Sequence, residues 1–181
     1  MLKILKENKA VVRFLLIFGG CYLVLALLYK AYLSYEVSEA YYPDFFTHLV
    51  AEQTKLVLRG FGYVSETLPH PNEESVQLFV NGKLMVRVVE GCNAISVIIL
   101  FVSFVVAFFN GWKPTLLFIF GGAVLLYVMN IFRIALLTIG LYGFPQYKQL
   151  LHDIVFPAII YGTVFLLWFL WMNRFSKQTT K

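Results

Sequence analysis

The sequence predicts an all-α polytopic membrane protein: about four transmembrane helices, with an extracytoplasmic amphipathic helix and a β-hairpin between the first two. Three observations carry this reading. Of 181 residues, 60% are hydrophobic and only 14% charged, and the mean hydropathy is +0.74. The apolar residues stand in long unbroken blocks, where a soluble fold of this length would need far more than fifteen Lys/Arg and ten Asp/Glu to cover its core. Lys and Arg are also distributed one-sidedly around those blocks. The net charge of +5 is therefore read as topology. Without a basic stripe interleaved with exposed aromatics, the chain is expected to bind no nucleic acid, and its first partner is the lipid bilayer.

The blocks cover residues 10–29, 94–109, 115–139 and 154–172, one membrane-embedded domain over 1–181. A hydrocarbon core of about 30 Å takes roughly 20 helical residues. The second block is short, so it is expected to borrow Cys92 and Asn93 at one end or Asn110 at the other, giving a span of about 93–110. The third is long enough to tilt. The first follows Lys3, Lys6, Lys9 and Arg13, as a signal peptide would. Its apolar stretch exceeds the ~7 to 15 residues of a signal core, however, and no small-x-small site precedes Lys30. Phe18 spoils the lipidation box that Gly19-Gly20-Cys21 suggests, which leaves Cys21 as a small residue inside a span.

Threading four spans puts Lys3, Lys6, Lys9, Arg13, Lys113, Arg174, Lys177 and Lys181 on one side. Both termini are thus expected in the cytoplasm. The other side receives residues 31–91 and the short loop 140–153, and the long segment holds eight Asp/Glu against four Lys/Arg. Within it, Phe45, Phe46, Leu49, Val50, Leu56 and Leu58 recur at helical spacing with His48, Glu52, Lys55 and Arg59 between them, the pattern of an interfacial amphipathic helix. Gly60, Gly62, Pro69 and Pro71 then interrupt regular structure. Two β-prone runs flank Asn81-Gly82, a strong hairpin signal because a type I′ turn needs positive φ at both central residues. The hairpin delivers the chain to Gly91-Cys92 at the outer mouth of the second span.

Three residues are unexpected on packing grounds. Arg133 lies inside the third block, where a guanidinium costs about 2.5 to 3.5 kcal/mol on insertion scales. It stands about 10 Å below the outer end of that span, and Asn130, three residues earlier, shares its face. A snorkelling anchor is the alternative role for this arginine. Cys92 sits at the outer start of the second span beside Asn93, where a helix dipole and a nearby cation favour the nucleophilic thiolate; the other reading is an inert buried thiol. No spacing of Cys or His supports a metal site. His152 immediately precedes Asp153 and the fourth span, and Asp153 either caps that span or orients the ring. His48 and His70 have no evident partners in the sequence. A Cys, an Arg and a His from three spans on one side of the membrane are the nucleophile, cationic oxyanion stabiliser and base that thiol acyl transfer requires.

Gly91-Cys92-Asn93-Ala94-Ile95 after the strand-like Val86-Arg87-Val88-Val89, then Asn130-x-x-Arg133, then His152 before the last span, together resemble the exosortase/archaeosortase family of membrane-embedded sorting enzymes. The resemblance implies Cys92 as nucleophile, Arg133 as stabilising cation and His152 as acid/base residue, without metal or organic cofactor. The partners it implies are exported proteins bearing a C-terminal sorting signal, made of a short motif, a transmembrane helix and a basic cluster, together with an envelope component that accepts the new carboxyl end. Typical members carry a Cys-Ser-Gly-like stretch where this chain has Cys92-Asn93-Ala94, and many have more spans. This chain looks like the short branch called exosortase F. A different class of function is a non-enzymatic membrane subunit of an envelope or export assembly, in which Asn130 and Arg133 make an interhelical polar contact and Cys92 is replaceable. A small transporter is disfavoured because spans 1, 2 and 4 offer almost no polar path through the membrane.

Overall fold

The computed structural model of the protein describes residues 8–35 and 41–176. Lys3, Lys6, Glu36, Glu39, Lys177 and Lys181, which entered the charge reading, lie outside the described residues. The main helices are α1 (Lys9–Tyr35), α2 (Phe45–Gly60), α3 (Ile95–Ala107), α4 (Trp112–Gly143) and α5 (Phe156–Ser176). Between α2 and α3 run strands β1 (Ser65–Pro69), β2 (Ser75–Val80) and β3 (Lys83–Val89), an antiparallel sheet of order β1-β2-β3.

Three helical segments are long and apolar enough to cross a membrane: Lys9–Tyr35, Trp112–Gly143 and Pro145–Asn173. Many of their exposed side chains are apolar, among them Leu16, Leu117, Phe120, Phe165 and Phe169, as a lipid-facing surface requires. This is a multi-pass membrane protein. The helices run alternately up and down. At one end, Arg13 of α1 shares a cavity with Asn110 before α4 and Met172 of α5, and Trp171 donates Nε1–H to the carbonyl of Phe108 at 3.1 Å. At the other end, Tyr29 of α1 meets Asn93 at the entry to α3.

The second apolar block departs from the expected span of 93–110. Its helix has only 13 residues, about 20 Å at 1.5 Å per residue, and neither Asn93 nor Asn110 joins it. Ala94 holds a left-handed φ of 68°, which stops helical continuation toward Cys92, and Phe108 leaves the helical region at the other end. α4, by contrast, exceeds the expected 115–139. Its 32 residues span about 48 Å, longer than a bilayer core is thick, and Leu137 and Leu141 in its last turns pack against Met85 and Val86 of the sheet. Gly122 lets α3 lie close to α4: a Cβ there would fall 2.3 Å from Cζ of Phe101.

The amphipathic helix is present as α2, with Asp44 as N-cap accepting from the Thr47 amide at 3.0 Å. Its apolar face covers protein. Val50, Ala51 and Leu58 pack with Val76, Leu78 and Val88 of the sheet and with Ile134 and Ala135 of α4 in one core. The hairpin also forms as expected, since Asn81 and Gly82 have φ of 49° and 76° and Val80 pairs with Lys83. β1 was not expected from a stretch rich in Gly and Pro. It pairs along β2 and is held to α2 by a cluster in which Lys55 and Thr67 both donate to the Glu52 carboxylate. Burial alone would push that carboxyl up, but the two hydrogen bonds and the charges of Lys55 and His48 outweigh it and hold Glu52 below its ordinary value.

Candidate active site

β3 ends at Val89, and the chain turns through a 3-10 turn, Glu90–Cys92, before Asn93 and Ala94 lead into α3. Cys92 is therefore placed by a tight turn three residues ahead of the helix. The helix-end dipole expected to act on it falls off within the first turn and does not define its position. Side chains tie the turn down from three directions. Asn130 of α4 donates Nδ2–H to the Cys92 carbonyl at 2.6 Å. The buried Asn93 accepts from the Ile95 amide at 3.0 Å and donates to the Tyr29 hydroxyl at 2.7 Å and to Thr47 Oγ1 at 3.2 Å. The turn that carries the thiol is thereby fastened to α1, α2 and α4 at once. Cys92 and Cys21 are both free thiols.

Arg133 follows Asn130 on α4 and is half-buried. It lies ten residues before the helix end at Gly143, about 15 Å, rather than seven before the expected end. Its Nε is buried, and among the described residues no acceptor bonds it. The Asn130 amide, one turn earlier on the same helix, is engaged with the Cys92 turn.

Residues 140–153 were expected as a loop, with His152 at a helix start. Residues 140–143 instead extend α4, and the rest is a run of tight turns: a 3-10 turn Pro145–Tyr147, one α turn Lys148–Leu150, and a π turn Leu151–Val155 continuing into α5. Phe144 makes the break from α4. His152 and Asp153 thus lie inside the π turn, a deformation common at functional sites. Asp153 Oδ1 sits 2.8 Å from His152 Nδ1, and both side chains are exposed. A neutral ring donating Nδ1–H to that carboxylate keeps Nε2 as its acceptor.

These separate pieces meet. Cys92, Arg133 and His152 line a single cavity of about 510 Å³, bounded by β3, the upper half of α4 and the turns before α5. Asn130, Asn93 and Asp153 stand behind it, each bonded to the Cys92 turn or to the histidine. Two further cations that line the cavity, Arg87 of β3 and Lys148 of the turns before α5, were missed in the sequence. Lys148 stands four residues before His152, the helical spacing that would have put both on one face had the segment been read as helix. His48 and His70 do not line this cavity. Among the described residues no cluster of His, Cys, Asp or Glu could hold a metal ion.

No curated protein and no solved structure matches the chain. The transmembrane exosortase family model matches residues 10–174, nearly the whole length and all the elements that build the cavity. The chain is a member of the transmembrane exosortase family, a membrane-embedded, sorting-related transpeptidase.

Proposed function

We propose that this protein is a cysteine peptidase or transpeptidase that cuts the C-terminal sorting signal of exported proteins at the outer face of the cytoplasmic membrane, with both termini in the cytoplasm. Cys92 Sγ attacks the carbonyl carbon of the scissile peptide, Arg133 holds the developing oxyanion, and His152 delivers a proton to the leaving amine as the C–N bond breaks. The thioester left on Cys92 is then resolved by water or by an amine of an envelope acceptor.

One observation supports this reading above the others: a thiol, a guanidinium with an unengaged Nε and an imidazole, from three separate elements, share one cavity. The test is co-expression with candidate exported proteins. Wild-type enzyme should shorten its substrate at the C-terminus, Cys92→Ala should abolish the shortening, and Cys21→Ala should leave it near normal. A fully active Cys92→Ala variant would return the chain to the role of a non-enzymatic envelope subunit.

A further inference from the structure

β3 is the last strand of the sheet, and its far edge is open: among the described residues, backbone hydrogen bonds from β3 run only to β2. The cavity that holds Cys92 is lined by Leu84, Met85, Val86, Arg87 and Val88, an unbroken run of the strand. Side chains of a strand alternate between faces, so a cavity over one face would touch every second residue. Contact with the whole run, including Arg87 and its neighbours Val86 and Val88, means that the cavity lies along the open edge. That run extends about 13 Å at 3.3 Å per residue, and the strand leads straight into the turn that bears the thiol.

Register supplies the orientation of one edge group. Val80 and Lys83 close the two-residue turn as a hydrogen-bonded pair, so the next pair, Phe79 and Leu84, points the Leu84 N–H and C=O away from β2. An irregularity in register follows at Leu78/Phe79, the kind of local bulge that re-aims a strand beside an active site. The lining offers Arg133, Lys148 and Arg87, the last paired with Glu73, and no carboxylate of its own.

We infer that the substrate segment carrying the scissile bond binds as an added strand on the open edge of β3, in extended form and without Lys or Arg at the positions facing the cavity. This rests on the peptidase reading above and specifies how its substrate is held. Main-chain hydrogen bonds to β3 hold the segment in register and carry its scissile carbonyl to Cys92, while the cations select against basic residues. Strand addition engages every second amide of the guest, so recognition has a period of two along the substrate backbone.

The experiment uses the full-length enzyme in membranes and an exported protein that it shortens in a Cys92-dependent way. Proline is tolerated on an edge strand but removes the N–H, so Leu84→Pro should cut at least about tenfold more slowly than Leu84→Ala at matched enzyme levels. Equal rates for the two variants, with Cys92 still required, would overturn strand addition and leave the catalytic reading standing. If Leu84→Pro does not accumulate, synthetic peptides spanning the mapped cut, each N-methylated at one amide, decide instead. Competition with cutting should fail at alternate amides, and a loss without that alternation overturns the inference. If no exported protein is shortened in a Cys92-dependent way, both readings fall.

Discussion

The Asn130 side-chain amide donates to the carbonyl of Cys92 across 2.6 Å, so a residue in the middle of α4 sets the height of the thiol-bearing turn. Asn130→Leu leaves that carbonyl without its donor, at a cost of about 1 to 3 kcal/mol. Substrate processing should slow at least about fivefold. In a Cys21→Ala background Cys92 should still be alkylated by maleimide, and Asn130→Gln should recover part of the rate. Unchanged processing in Asn130→Leu would show that the turn holds its place without α4.

Arg133 separates catalysis from anchoring. If the guanidinium only snorkels, Lys should replace it well. If its planar donors hold an oxyanion, Lys gives a point charge and a poor substitute. Loss of one such donor typically costs about 10²- to 10³-fold. Arg133→Lys is expected to accumulate normally and to process substrate at least about tenfold more slowly in a pulse-chase.

His152→Ala should lose about 10²-fold or more in turnover with the protein level maintained, the scale of general acid–base catalysis. Because Asp153 contacts Nδ1, Asp153→Asn should also slow turnover, through the ring's tautomer and orientation, while leaving the enzyme folded. His48→Ala and His70→Ala should be mild, since neither residue lines the cavity. Equal losses at all three histidines would point to damage of the fold rather than to chemistry.

Gly122→Ala tests packing alone. Its Cβ would meet the Phe101 ring at 2.3 Å, and Phe101 is fully buried beneath α4, so the ring has little room to retreat. Overpacking of this kind costs about 1 to 3 kcal/mol. The variant should melt at lower temperature in detergent, and adding Phe101→Leu should restore much of the loss. A melting curve equal to wild type would mean that α3 shifts freely against α4.

The apolar blocks, the amphipathic helix and the Asn81-Gly82 hairpin could be read directly because each has a local cause: a run of lipid-compatible residues, a 3.6-residue period, a turn that demands positive φ. The candidate site residues Cys92, Arg133 and His152 could be singled out because each is out of place in its local context. What stayed hidden depends on partners distant in the chain. β1 forms because β2 and α2 offer it hydrogen bonds, including the ties from Lys55 and Arg59, and no local signal in a Gly- and Pro-bearing stretch announces them. The end of α3 at Ala94 reflects a left-handed residue that composition does not reveal. Arg87 and Lys148 look like ordinary solvated charges until the fold brings both to the lining of one cavity.

The π turn before α5 works as a phase shifter. Lys148 and His152 are four residues apart, but the next residue on the cavity wall, Pro157, comes five later, the extra residue being absorbed within Leu151–Val155. Further on, Ile160, Val164, Leu167 and Trp171 face the bundle at ordinary helical intervals. One inserted residue in an α-helix turns everything beyond it by about 100°. The angular offset between the histidine and the buried stripe of the last helix is thus written in chain length. A version of this chain one residue shorter at that point could keep its helices and its composition, yet it would aim either the imidazole or the membrane-embedded stripe in the wrong direction.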